Sequence, residues 1–271
     1  MKGQTLVTQP QTTYPIRVGV QLRQQHVTYQ AYVDAVRRVE DLGVDTIWNW
    51  DHFFPLYGDP QGNHFESWTL LTAMATLTSR AQIGTLVTCN TYRNPSLLAN
   101  MAKTLDHISN GRAILGIGAG WFERDYKEYH YDFGTSGSRL AALETALPII
   151  KQRWETDVPK PLHKIPLLIG GGGEKKTLRL TAQYADIWHG FGEPETLQHK
   201  MEVLDNWCKE VGRNPAEIER STTIAIADAT DKRRDALVAQ GLTHLIIGMG
   251  TPWDFTAVQQ AVRWRDSRLG R

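Results

Sequence analysis

Cysteine is scarce. Cys89 and Cys208 are the only two in 271 residues, too few for a disulfide framework, and no C-x-x-C pair offers a zinc site. That usage fits a reducing, cytoplasmic setting. An excess of one charge is also missing. Thirty Lys and Arg against 29 Asp and Glu leave a formal +1, so no general attraction to nucleic acid or to an anionic membrane is expected. No apolar run approaches the roughly 18 residues that span a bilayer. Residues 1–15 lack the basic-then-apolar order of a secretory signal. They are expected to form a flexible tail ahead of one folded domain over residues 16–271. The H-E-x-x-H, G-x-S-x-G and G-x-x-x-x-G-K-[ST] patterns do not occur, so a zincin, a hydrolase elbow and a P-loop lack support. His26, His107, His163, His199 and His244 show no ligand spacing, and no metal is expected.

What is present is globular, with 41% hydrophobic and 22% charged residues. Short β-rich runs fall at residues 16–22, 44–50, 81–88, 112–117, 165–169, 185–189, 219–225 and 242–248. Between them and after the last lie segments of helical periodicity at 29–42, 67–78, 95–108, 139–154, 174–184, 195–211, 232–240 and 255–268. Pro95 suits a first helical turn, whereas Pro148 predicts a kink or break. Strands separated by helices must pair in parallel, because each crossover returns the chain to the same end. Eight such units in this length predict a closed (β/α)8 barrel rather than an open doubly wound sheet. The widest irregular stretches, residues 51–66 and 118–138, both follow strands and so belong at the C-terminal mouth, where barrel sites sit.

Candidate chemistry is sought at those strand ends. The second strand ends in Trp50, Asp51, His52 and Phe53. A carboxylate beside an imidazole there can orient the ring or exchange a proton near neutral pH. Glu66 is a further proton-transfer candidate or, equally, a carboxylate at a helix start. Cys89 has no base beside it in sequence and reads as a small buried residue. After the fourth strand, Gly116, Gly118 and Gly120 resemble a dinucleotide fingerprint only superficially, since Phe122 and Glu123 stand near the third glycine's place. The fifth strand runs into Gly170, Gly171, Gly172, Gly173 and Glu174, ahead of Lys175 and Lys176. Free N–H groups before a helix bind anions, so a phosphate site is expected there. Trp48, Trp50, Trp68, Trp121, Trp188 and Trp253 fall mostly near strand ends or loops, which suits a planar ligand.

In this order, the Asp51–His52 pair, residues 84–88, 116–122, 169–174 and 184–188 resemble the bacterial luciferase-like superfamily. They are most similar to its coenzyme F420-using oxidoreductases of actinobacterial type, and the likeness covers roughly residues 16–266. The resemblance implies a deazaflavin at the barrel mouth, lying against a bulge in the third strand with a non-proline cis peptide at Leu86–Val87, next to Thr88. It implies that Gly118, Ala119, Gly120 and Trp121 line the ring and its side chain, and that Gly170 to Glu174 hold the phosphate. Asp51 and His52 match the acid and histidine beside the deazaflavin. His52 is expected to pass the proton and Asp51 to orient it or touch the ring. The expected reaction is hydride transfer to or from a small organic substrate, in a homodimer. The alternative within the superfamily is a monooxygenase using reduced flavin mononucleotide (FMN) and oxygen. A non-catalytic binding protein is a third reading. The relatives that oxidise sugar phosphates carry a glutamate where Trp121 stands, which speaks against that substrate. The segment between Trp154 and Ile165 is shorter than in many relatives and is expected to open the mouth or alter a subunit interface.

Overall fold

The computed structural model describes residues 14–270. The expected tail falls almost wholly outside them. β1 (Arg17–Leu22), β2 (Thr46–Asn49) and β3 (Gln82–Thr85) lead into a two-residue segment, β4 (Thr88–Cys89). β5 (Ala113–Gly118), β6 (Leu167–Gly170), β7 (Ile187–Gly190), β8 (Glu219–Ala225) and β9 (His244–Met249) follow. Every ladder among them is parallel, and β1 pairs with both β2 and β9. β3 and β4 both pair with β5, which closes the ring. β3 and β4 are thus two pieces of one position, and the architecture is a (β/α)8 barrel.

Local sequence explains the outer ring. Helix α1 (Tyr29–Asp41) starts where the Thr28 hydroxyl accepts from Ala31 N, and it buries Tyr32, Val33, Val36 and Val39 at helical spacing. α2 (Ser67–Leu77), α3 (Pro95–Ile108) with Pro95 in its first turn, and a short α4 (Glu123–Glu128) come next. α5 (Ser136–Thr156) runs through Pro148 without a break. The lost N–H is tolerated because Leu143, Ala146, Leu147 and Ile150 anchor that helix to the barrel on both sides of the proline. α6 (Thr177–Tyr184), α7 (Pro194–Glu210), α8 (Asp231–Ala239) and α9 (Phe255–Leu269) complete the ring. Trp48, Leu86, Ile114, Leu168, Ile187 and Ile246 form one buried cluster contributed by successive barrel strands. Among the described residues, no helix is long and apolar enough to cross a membrane.

Two features of the structure differ from the sequence reading, and a third, the bulge with its cis peptide, is as the resemblance implied. The third strand is interrupted: between the Gly84–Ile114 and Thr88–Ile117 pairs it spends four residues where β5 spends three. This is a bulge, and its Leu86–Val87 peptide is cis. Helix α6 begins at Thr177, later than the expected residue 174, because residues 174–176 form turns. The short segment after Trp154 precedes β6 and therefore lies at the N-terminal face of the barrel, so it cannot open the mouth.

Candidate active site

The end of β2 is pinned before it reaches the mouth. Gln24 Oε1 accepts from Trp50 N at 3.2 Å, and its amide donates to Trp50 O at 2.5 Å. Asn49 donates to Ser67 O at 2.7 Å, tying the strand to the start of α2. The next two side chains then diverge. Asp51 is buried; its oxygens accept from Arg93 at 2.5 and 3.0 Å and from Cys89 N at 2.9 Å. His52 turns the other way. Its Nδ1 lies 2.7 Å from Asp125 Oδ2, and Asp125 is fully buried on α4.

Asp125 is the partner of His52 that the sequence reading missed; Asp51 was expected to orient the histidine or touch the ring. Its carboxylate also accepts from Tyr92 Oη at 3.0 Å and from Phe53 N at 3.1 Å. An ionised carboxylate only accepts, so Nδ1 carries a proton, and in the singly protonated ring Nε2 is the free nitrogen. Trp50, Trp121 and Phe122 present rings to the imidazole at 5.7, 5.9 and 5.4 Å between centroids. The two long loops lock together around this pair: Phe53 stacks on Tyr129 at 4.0 Å and on Tyr92 at 4.7 Å. Arg139 of α5 donates to Gly120 O and Phe133 O, holding the second loop down.

The bulge is equally fixed. Gln21 donates to Leu86 O at 3.0 Å, and Leu86 N donates to Asn49 O at 2.9 Å. Val87 lies against the backbone of β5 and β6; a Cβ on Gly118 or on Gly170 would come within 2.9 Å of its methyls. Thr88 Oγ1 is buried with no hydrogen-bond partner among the described residues. Gly120 has φ +83°, and a Cβ there would meet Tyr126 Oη at 2.1 Å and Cys89 Sγ at 2.5 Å. Burial pushes the Cys89 thiol pKa up, which fits a packed residue rather than a nucleophile.

These groups surround a cavity of about 550 Å³ at the mouth. Asp51 and His52 line it, as do Leu86, Val87 and Thr88 of the bulge. Gly118 to Trp121 and Gly170 with Gly171 complete the expected part of the wall. Four expected residues stand off it. Glu66 caps α2, accepting from Trp68 N at 3.0 Å and Thr69 N at 2.6 Å, and reaches the site only through Arg93 at 2.9 Å. Burial works against its ionisation, but these N–H groups and Arg93 outweigh it and hold its carboxyl below the usual range. Gly172, Gly173 and Glu174 lead away from the cavity because α6 starts late. Glu174 pairs with Lys200 at 2.5 Å and His199 at 3.1 Å on α7. The N–H groups of Gly172 and Gly173 donate to no protein acceptor among the described residues.

Comparison with known proteins bears on the fold and the family. The chain is 29% identical over 177 residues to an F420-dependent glucose-6-phosphate dehydrogenase of Amycolatopsis mediterranei, a stretch covering 58% of this chain and 52% of that protein. It spans about half to two thirds of the length of the curated relatives it matches first. Its fold superposes on an F420-dependent secondary alcohol dehydrogenase in complex with an F420-acetone adduct, with TM-score 0.83, 17% identity, and coverage of 92% of this chain and 98% of that one. A monooxygenase from Streptomyces bottropensis shares the fold at TM-score 0.74 and 14% identity, over 94% of this chain and 98% of that one. Finally, the luciferase-like monooxygenase family matches from residue 11 to residue 269, and the chain belongs to that family.

Proposed function

We propose that the cavity binds coenzyme F420 and that the protein is an F420-dependent oxidoreductase acting on a small organic substrate. The observation that carries this reading is His52, held from behind by Asp125, on the wall of the same cavity that the Leu86–Val87 bulge bounds. The F420-dependent relatives support the choice of cofactor. The residues present fit a flat, phosphate-bearing group. The volume is within the range of cofactor pockets. Gly118 and Gly170 leave room for Val87 to lie flat across two strands, and Thr88 Oγ1 offers an unpaired polar atom. Gly170 and Gly171 open from the cavity toward the free N–H groups before α6, which would receive the phosphate.

When bound, the deazaflavin supplies hydride transfer at its C5. The protein's own work is positioning and proton handling. His52 holds or moves a proton at Nε2. Asp125 fixes the ring and its tautomer. Asp51, saturated by Arg93 and Cys89 N, fixes the backbone from which His52 projects. Trp50, Trp121 and Phe122 limit water around the imidazole. Glu66 supports this indirectly, through Arg93. Trp121 lines the cavity at the position where the resemblance places the glutamate of sugar-phosphate oxidising relatives, which speaks against that substrate. The test is His52→Gln, assayed with reduced and oxidised F420. Turnover falls on the order of 10²-fold or more while F420 affinity stays within about threefold. Undiminished turnover would remove His52 from the mechanism. An FMN-dependent monooxygenase would instead show FMN binding and oxygen uptake.

A further inference from the structure

We infer that the substrate carries a carboxylate and that Arg23, just beyond β1, receives it; this deepens the oxidoreductase reading and rests on it. Among the described residues, Arg23 is the only Lys or Arg on the cavity wall. Its guanidinium forms no ion pair and donates to no protein acceptor among the described residues, and its Nε is buried without a partner. A buried N–H is costly to leave unpaired, and an arginine drawn even partly out of water is normally matched.

The surroundings hold it in place without neutralising it. Its Cζ sits 5.6 Å from the Trp50 ring and 5.2 Å from the Tyr57 ring, two neighbouring rings whose own centroids are 6.1 Å apart, so the guanidinium rests against one aromatic corner. Gly248 makes space for it: a Cβ there would lie 3.1 Å from Nη2. These contacts support a planar fork whose N–H groups remain available, the geometry that matches a carboxylate with two parallel hydrogen bonds. One positive charge, with no second Lys or Arg on the wall, suits a monoanion better than a phosphate dianion.

Placement argues for the substrate rather than the cofactor. In the eight-membered ring, β1 lies four positions from β6 and thus directly across the mouth from Gly170 and Gly171. A phosphate held at that turn is on the far side from Arg23. By contrast, Trp50 contacts both Arg23 and His52, its ring 5.6 Å from the guanidinium carbon and 5.7 Å from the imidazole. A substrate anchored at Arg23 therefore extends over Trp50 toward the proton-transfer nitrogen.

The test is calorimetric titration of the full-length protein with pyruvate, levulinate and 4-acetylbenzoate, each beside its methyl ester. Wild type, Arg23→Gln and Arg23→Lys are compared, with thermal melting to confirm folding and F420 titration of each. At least one acid is expected to bind wild type about tenfold or more tightly than its ester. That preference disappears in R23Q and is reduced in R23K. The inference is overturned if no acid is preferred, or if the preference survives in R23Q. A loss of F420 affinity in R23Q, without an acid preference in wild type, assigns Arg23 to the cofactor and also overturns it. Wild type that binds F420 but shows no acid preference sinks this inference alone. An Arg23-dependent acid preference without F420 binding sinks the cofactor reading alone.

Discussion

His52 and Asp125 stand 73 positions apart in the chain, yet their contact decides which ring nitrogen is free. Asp125→Asn tests this at the scale of one atom. The amide keeps the shape but can present N–H to Nδ1, which moves the ring proton to Nε2 and removes the acceptor facing the cavity. We expect turnover to fall on the order of 10²-fold and its pH profile to shift, with F420 affinity changed by less than about threefold. An unchanged pH profile alongside a lower melting temperature would leave Asp125 a structural residue only. The sequence made His52 legible because a strand end followed by Asp and His is a local signal. Asp125 left no such signal; it arrives from another loop, and a single chain without an alignment does not report contacts across space. Asp51 was the natural candidate to orient His52 because the two are adjacent. Adjacent residues on an extended backbone point apart, however, and Asp51 points to Arg93.

Elements carry the site in two places, the bulge and the loop helix α4. The alternation of strand and helix was readable over the whole barrel, and the β8 span agrees with the reading to the residue. The break in the third strand was not readable from its β-rich composition and entered only through the resemblance. Gly170 and Gly171 line the cavity, whereas the turns at 174–176 delay α6, and Gly172, Gly173 and Glu174 stand off it. Helix α4 depends on Gly120, whose positive φ and tight contacts with Tyr126 and Cys89 admit no side chain. Gly120→Ala is therefore expected to cost about 2 kcal/mol or more, seen as a lower urea midpoint. Because Asp125 and Tyr126 share that helix, the same variant should lose turnover beyond its loss of stability. Wild-type stability in this variant would mean that the backbone at 120 relaxes freely.

At the scale of the whole molecule, the barrel interior sets how stability responds to pH. His189 is fully buried, with Nδ1 2.9 Å from Ser221 Oγ and Nε2 3.1 Å from Thr223 Oγ1. Burial first, and His244 second, depress its pKa from 6.5 to about 3. The unfolded chain thus binds a proton that the folded one refuses. The stabilisation is complete above about pH 6.5 and is lost progressively as pH falls toward 3, with a slope of up to about 1.4 kcal/mol per pH unit. Buried His244, also depressed by burial first, acts in the same direction. Urea midpoints at pH 7.5, 6 and 5 should fall in that order, and His189→Gln should flatten the trend; a flat wild-type trend would refute it. The central claim is about the mouth of this barrel, and tryptophan quenching reads it directly, since Trp50 and Trp121 both line the cavity. The decisive measurement is a parallel titration of the purified protein with coenzyme F420 and with FMN. The account predicts saturable quenching by F420 at micromolar concentration or below, and none by FMN over the same range. Quenching by FMN alone, or by neither, would contradict it.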